Sequence, residues 1–554
     1  MQIRHLLLGG LVLAALSCGG GVPVEQVTGS LNQLLGEKKA PAGVPADQWD
    51  ATQALYQARN GKPLWVDGEK PNANARSLVD AIASADKEGL RSADYDLAGL
   101  SNVLRQTYDS GKVTASKLAT LELRLTGLYL EYGSDMLVGR VDPQLINDGF
   151  LAKTRRKTAD SILLAAASEE KFAGMIGQLR PRSRQYQALL DGLADYRAIA
   201  DSGGWKEIPG GAIKPGERSG RIMLLRARLA ATGDLGSADG DSAYDGALNE
   251  AVNHFRARHN LPPGKGVDKE TLAALNVPVE RRVEQIELNL DRLRWVPNDF
   301  GNRYVLVNIP EYQLRAFDGG KEVLTMRVVV GKDYEHATPV FADTISEVVF
   351  HPDWNVPKSI ATKEIIPKVR EEKDYLAQHG YEVVDRDHPD VPLDPDDVDW
   401  DADTADFHYL IRQGPGERNA LGNIKFLFPN RFAVYMHATP ATGLFKERDR
   451  AASHGCVRLQ DPEAFARFVL AGNSEWNDAR IHEALADTVQ ESVRVTNQVP
   501  VYLLYLTAFP KDGQVQFRDD VYGSDRRALA RIKEPAKDSV IEPLRERLND
   551  LMRG

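Results

Sequence analysis

The sequence predicts a multidomain α+β protein, with an N-terminal helical scaffold, a small three-helix unit and a mostly-β domain that carries an insertion. Three observations lead there. The 554 residues exceed what one hydrophobic core serves, because single cores stop growing at roughly 250–300 residues. Apolar residues recur at helical spacing, between Gly/Pro breaks, as far as Trp295. Beyond Arg294-Trp295-Val296-Pro297 the apolar period shortens towards that of strands. The expected segments are 1–18 (export signal), 19–45 (tether), 46–205 (helical scaffold) and 210–278 (three-helix unit). Residues 300–475 are expected as the β domain with an insertion at about 355–410, and 476–554 as C-terminal strands and a helix completing the scaffold.

The N-terminus has the layout of a secretory signal. Arg4 and His5 precede an apolar run from Leu6 to Leu16, and Ser17-Cys18-Gly19-Gly20 follows. The run is too short to span a bilayer. Cys18 is placed as the lipid acceptor of a bacterial lipoprotein signal, or is cut away with the signal. The chain is therefore expected in the cell envelope, in the periplasm, either free or held at the outer membrane through Cys18. Residues 19–45 are rich in Gly, Pro, Ala and Val, and are expected as a tether.

In the scaffold, Leu121, Leu125, Leu128 and Tyr132 mark the buried stripe of a helix. Breaks at Pro209-Gly210-Gly211 and Pro215-Gly216 open the next unit. Ile222–Leu229 and Asp245–His259 are predicted helices, and Asp268 is placed to cap a third. In the β domain, Tyr304–Ile309 and Leu324–Val330 are predicted strands, with Gly319-Gly320 as a hairpin turn between them. Further strands are expected at Ser346–Phe350, Ile424–Phe428 and Arg431–His437. Val499–Thr507 and Val515–Phe517 are expected to pair, and Arg526–Arg531 to begin a terminal helix. Asp385–Asp406 holds ten aspartates without the spaced ligands and turning Gly of a calcium loop, and is expected as a solvated insertion.

A net charge of −10 argues against nucleic-acid binding, which calls for a basic face. The only cysteines are Cys18 and Cys456. With Cys18 cleaved or acylated, Cys456 has no intramolecular partner, and an exported chain rarely keeps a thiol without a use for it. Cys456 lies in Ser453-His454-Gly455-Cys456-Val457-Arg458, downstream of Val434-Tyr435-Met436-His437. A thiol attacks an acyl carbon as thiolate, so it needs a base or a positive charge nearby. His437 and His454 are the candidate bases, and a backbone carbonyl is enough to fix the tautomer of either. Gly455 leaves backbone N–H groups open to an oxyanion.

The run from His437 to Arg458 resembles the signature of L,D-transpeptidase (YkuD-type) catalytic domains. Pro339, His351–Pro357 and Gly414-Pro415-Gly416 with Asn419–Gly422 add matches. The Ile222–Leu229 helix followed by Ala251–Asn276, within 210–278, resembles the small three-helix peptidoglycan-binding domain, and the order of segments resembles long, YcbB-like family members. The resemblance implies Cys456 as nucleophile and His437 as its base, with the Ala438 carbonyl orienting the ring. It implies an oxyanion hole around Gly455 and Cys456 shaped by His454, and substrate channels lined by Tyr435, Trp354 and Arg458. The implied reaction forms 3→3 cross-links between peptidoglycan stem peptides through a Cys thioester, with the insertion as a cap and no metal or organic cofactor required.

Other readings stand beside these. Cys456 as an inert buried thiol, zinc held by His437, His454 and Cys456, His454 as the base, Arg458 in a structural ion pair, and Tyr435 and Trp354 as core residues are each compatible with the residues alone. At the level of the whole chain, a thioester hydrolase with water as acceptor and a non-catalytic wall-binding protein are the alternatives.

Overall fold

The computed structural model describes residues 21–41, 44, 46–141, 163–165, 172–402, 407–530, 532 and 541–553. The signal segment, with Cys18, lies outside them. The chain divides into two units: Met1–Leu137, Thr158–Arg180 and Glu534–Gly554 form the first, and Val138–Lys157 and Pro181–Lys533 the second.

The first unit is helical. Its elements are α1 (Val24–Leu35), α2 (Trp49–Ala58), α3 (Ala73–Ala83), α4 (Leu97–Tyr108), α5 (Ala115–Val138), α6 (Phe172–Gly177) and, from the far end of the chain, α17 (Ile541–Arg553). The predicted stripe of α5 is buried, but Leu123, Thr126, Tyr129 and Leu130 on its other sides are buried too. A helix apolar all round belongs inside a core rather than on its rim. Glu122 of α5 is fully buried and accepts backbone N–H groups from Leu64, Trp65 and Val66 and the hydroxyl of Tyr56. Burial pushes its carboxyl up to about 7, with those donors pulling the other way. Where a tether is expected, α1 forms instead, because Val27 and Leu31 repeat at helical spacing and both are buried. Among the described residues no helix is long and apolar enough to cross a membrane.

The second unit contains the three-helix segment, formed by α8 (Gly220–Ala231), α9 (Gly246–Arg258) and α10 (Lys269–Leu275). Asp245 caps α9 and Asp268 caps α10, each accepting an N–H three residues on at 2.8 Å. Ile222, Leu225, Leu248, Val252, Phe255 and Leu272 meet in one small core.

The β domain is a nine-stranded mixed sheet. Its strands are β1 (Arg303–Asn308), β2 (Gln313–Asp318), β3 (Lys321–Gly331), β4 (Phe341–Phe350), β9 (Ile424–Leu427), β10 (Met436–His437), β11 (Ala451–Ser453), β12 (Val457–Leu459) and β13 (Glu491–Leu504). They run in the order β11-β3-β12-β10-β9-β4-β13-β1-β2, and a further pairing of β2 with β3 closes the sheet on itself. Alternate residues serve two cores. Val305, Val307, Val501 and Leu503 join one, with Phe465 and Val469 of α14 (Pro462–Leu470). Tyr304, Leu306, Tyr502 and Leu504 join the other, with α7 (Arg184–Asp201) and α11 (Val279–Trp295).

Several expectations are corrected. Gly319-Gly320 links β3 to β2, a strand whose polar residues, Gln313 and Arg315, hide its alternation. Arg431–His437 shrinks to two strand residues, because Ala433 takes a left-handed φ of 53°. Val499–Leu504 pairs with β1 and β4, whereas Gln514–Phe517 (β15) pairs with Ala508–Lys511 (β14). The long β13 belongs to the main sheet, so of the stretch from 476 onward only α17 completes the helical unit. In the second unit α7 packs on α11.

The insertion is a folded subdomain. Its strands β5 (Trp354–Asn355), β6 (Tyr381–Asp385), β7 (Pro392–Leu393) and β8 (Tyr409–Gln413) form a separate sheet in the order β5-β8-β6-β7. A helical run at 358–371 and α13 (Tyr375–His379) precede β6. Even within the Asp-rich stretch expected as solvated, Val398 is buried in its core, beside Ile365, Val383 and Ile411.

Asp291 of α11 is fully buried between Arg294 at 2.6 Å and Arg140 at 2.9 Å. Asp291→Ala removes the carboxylate between two buried guanidiniums, leaving Arg140 with Glu287 at 3.8 Å and Arg294 with the Tyr186 hydroxyl, and is expected to destabilise the second unit by about 3 kcal/mol in chemical denaturation.

Candidate active site

The site begins with strand pairing. β10 and β12 run parallel, with Met436 beside Val457 and His437 beside Arg458. The N–H of Val457 donates to the carbonyl of Tyr435 at 3.1 Å, which sets Cys456 level with Tyr435. Side chains alternate along a strand and keep the same face across neighbouring strands. Met436 and Val457 therefore enter the core, and Tyr435, His437, Cys456 and Arg458 share the opposite face. Lys425 on β9 pairs with His437 and joins them. All five line a cavity of about 720 Å³ that is closed on its far side by Trp354, Glu364 and Tyr381 of the insertion.

The nucleophile loop is held by its backbone. Gly455, at φ 114°, breaks the strand between β11 and β12 in a conformation that side-chained residues rarely adopt. Its carbonyl accepts from the Thr338 hydroxyl at 2.8 Å, and Thr338 in turn accepts the Gly331 N–H at 2.9 Å. Tyr522 donates to the Gly331 carbonyl at 2.8 Å. Ser453 receives the Gly455 N–H at 3.1 Å and donates to the Cys456 carbonyl at 2.6 Å. The Gly455 N–H is thus already used, which corrects its expected place among the oxyanion donors. On the other wall, Asn430 ties the 428–434 turn through four hydrogen bonds. That turn brings the Ala433 carbonyl to 4.0 Å from the Cys456 sulfur.

His437 is buried, and its Nδ1–H donates to the Ala438 carbonyl at 2.5 Å. This leaves Nε2 as the lone-pair nitrogen. Ala438 fits because the position beside it is a glycine: a Cβ on Gly422 would lie 2.6 Å from the Ala438 Cβ. Burial pushes the His437 imidazole down to about 3, and the Arg458 charge adds to the effect. Burial likewise pushes the Cys456 thiol up, opposed by Tyr435, Lys425 and Arg458. Burial thus favours the uncharged form of both groups.

The remaining candidates fall into place around this pair. The Tyr435 phenol interacts with both the Cys456 thiol and the Trp354 indole, while Trp354 itself packs into the insertion's core. Arg458 is half-buried and makes no ion pair among the described residues. Lys425, which the sequence does not single out, lies 4.4 Å from the Tyr435 ring centroid, and burial lowers its ammonium. His454 lines the same cavity, and its Nε2 meets Glu364 Oε1 at 2.6 Å. Among the described residues no group of three or more His, Cys, Asp or Glu side chains is arranged to hold a metal ion, so the zinc reading has no ligand set.

A thiol, an imidazole whose Nδ1–H is held by a carbonyl, and two cations thus line one cleft. Residues 302–489 match the family of YkuD L,D-transpeptidase catalytic domains, and residues 50–193 match a scaffold domain. This stretch of the chain is thus similar to L,D-transpeptidase catalytic domains of the YkuD family. A Haemophilus influenzae protein named "Putative L,D-transpeptidase" is 36% identical over 243 residues, 44% of this chain and 48% of that relative. The matched stretch spans about half the relative's length. A solved L,D-transpeptidase from Xylanimonas cellulosilytica covers 53% of this chain and 98% of its own at 14% identity, with a TM-score of 0.17, a likeness too slight to argue from.

The His437 shift carries a sign that can be tested. Between pH 6.5 and about 3 the unfolded chain binds a proton that the folded site refuses. Stability from this group is complete above pH 6.5 and is lost as pH falls towards 3. His437→Asn is expected to flatten that loss, by at most about 1.4 kcal/mol per pH unit. Denaturant melts of both proteins at pH 4, 5 and 7.5 measure it.

Proposed function

We propose that the chain is a peptidoglycan L,D-transpeptidase that forms 3→3 cross-links through a thioester on Cys456. The observation that carries this is the parallel register placing Cys456 and the tautomer-fixed His437 on one face of one cavity. His437 Nε2 takes the thiol proton as sulfur attacks the carbonyl between the third, diamino-acid residue and the terminal D-alanine of a donor stem. The same proton leaves on the amine of D-alanine. The side-chain amine of a second stem then attacks the thioester, an amide forms, and sulfur departs and is reprotonated.

The cations at Lys425 and Arg458 suit the anionic side of this chemistry. A buried guanidinium without a carboxylate partner is costly, and a substrate carboxylate would relieve that cost through charge-assisted hydrogen bonds. The three-helix unit at 210–278 suits wall binding, which would raise the local concentration of stems. With Cys18 acylated, the enzyme would act from a membrane anchor in the periplasm.

Purified enzyme with tetrapeptide muropeptides, read by mass spectrometry, is expected to give cross-linked dimers. Tripeptides alone would mark a hydrolase, and unchanged muropeptides a wall-binding protein. Cys456→Ala is expected to abolish dimers, and His437→Gln to slow them by about 10²–10⁴-fold.

A further inference from the structure

Glu364 reaches the cavity from the insertion in an unusual way. Residues Ala361–Ile365 form the only π turn among the described residues, within the helical run at 358–371. Such turns widen a helix by one residue and re-aim its side chains, frequently at functional sites. Ile365 and Ala361 stay in the insertion's core, and Glu364 projects into the cleft with its side chain 46% exposed. Its Oε1 meets His454 Nε2 at 2.6 Å, and the Lys332 ammonium sits 4.0 Å from the same oxygen. Among the described residues Oε2 has no partner. His454 precedes the nucleophile on the β11–β3 side, whereas Lys425 lies on β9, beyond β10. The two sides of Cys456 therefore differ: Lys425 stands on one without an ion pair among the described residues, and a carboxylate paired to an imidazole stands on the other.

We propose that the Glu364–His454 pair is the acceptor-amine site, binding the incoming stem's side-chain ammonium and taking the proton it must lose before attack. This rests on the acyl-transfer reading above and extends it to the second substrate. At neutral pH an aliphatic amine arrives as R–NH3⁺, which has no lone pair to attack with. Glu364 offers Oε2 to the ammonium and accepts His454 Nε2–H at Oε1, which leaves His454 Nδ1 as a lone pair. R–NH3⁺ gives one proton to Nδ1. The freed R–NH2 forms the C–N bond to the thioester carbon and passes its second proton to His437 as the C–S bond breaks. The sulfur leaves with the bonding pair and recovers that proton from His437, and imidazolium His454 releases the other to solvent. Water needs no such carboxylate, so the pair also biases the thioester towards amines.

The test measures the ratio of cross-linked dimer to hydrolysed tripeptide formed from the same muropeptides, which counts acceptor choice per thioester made. Glu364→Gln, nearly isosteric and on an exposed side chain, is expected to lower the ratio about tenfold, and Glu364→Asp to restore part of it. KM for the acceptor is expected to rise more than KM for the donor. An aminooxy acceptor of equal length, neutral at pH 7, is expected to erase the difference between wild type and variant. An unchanged ratio in Glu364→Gln, or a loss that persists with the aminooxy acceptor, overturns the assignment while leaving the acyl-transfer reading intact. Wild-type protein that forms neither product nor a thioester overturns both.

Discussion

The parallel pairing of two very short strands, Met436–His437 and Val457–Leu459, is the constraint on which the site depends. It sends Met436 and Val457 into the core and leaves His437 and Cys456 no choice of face. A slip of one residue would bury the polar set and expose the apolar one. Neither strand is long enough to hold that register alone. It is held from outside, by β9 on one side and β3 on the other, and by the hydrogen bonds that run from Tyr522 through Gly331 and Thr338 to the Gly455 carbonyl. Residues far along the chain thereby fix the peptide that precedes the sulfur.

Burial sets the electrostatic character of the centre. A low dielectric favours neutral forms, so both the thiol and the imidazole resist ionising. Tyr435, Lys425 and Arg458 offset part of this for sulfur, so that a negative charge there would meet prearranged partners. The cleft spends little on charge separation at rest.

The chemistry was more legible in the sequence than its supports were. Cys456, His437 and Arg458 stand out because residue type and spacing limit what they do, and α9 and α10 begin at the expected caps. Lys425 and Glu364 are invisible in one dimension. A lysine on an apolar strand and a glutamate on a helix are ordinary until tertiary contacts bring them to the sulfur. The π turn that aims Glu364 leaves no signature, because it follows from packing Ile365 and Ala361 into the insertion's core. Composition misled at both Gly/Pro-rich and Asp-rich segments, where sparse apolar residues such as Val27, Leu31 and Val398 suffice to anchor local structure.

The final helix, α17, has a consequence for biogenesis. Leu544 and Leu548 are buried in the helical unit, and Arg545 reaches Asp80 at 2.8 Å. The helical unit therefore draws its core from both sides of the β domain along the sequence, and it is complete only once the segment after that domain has joined it.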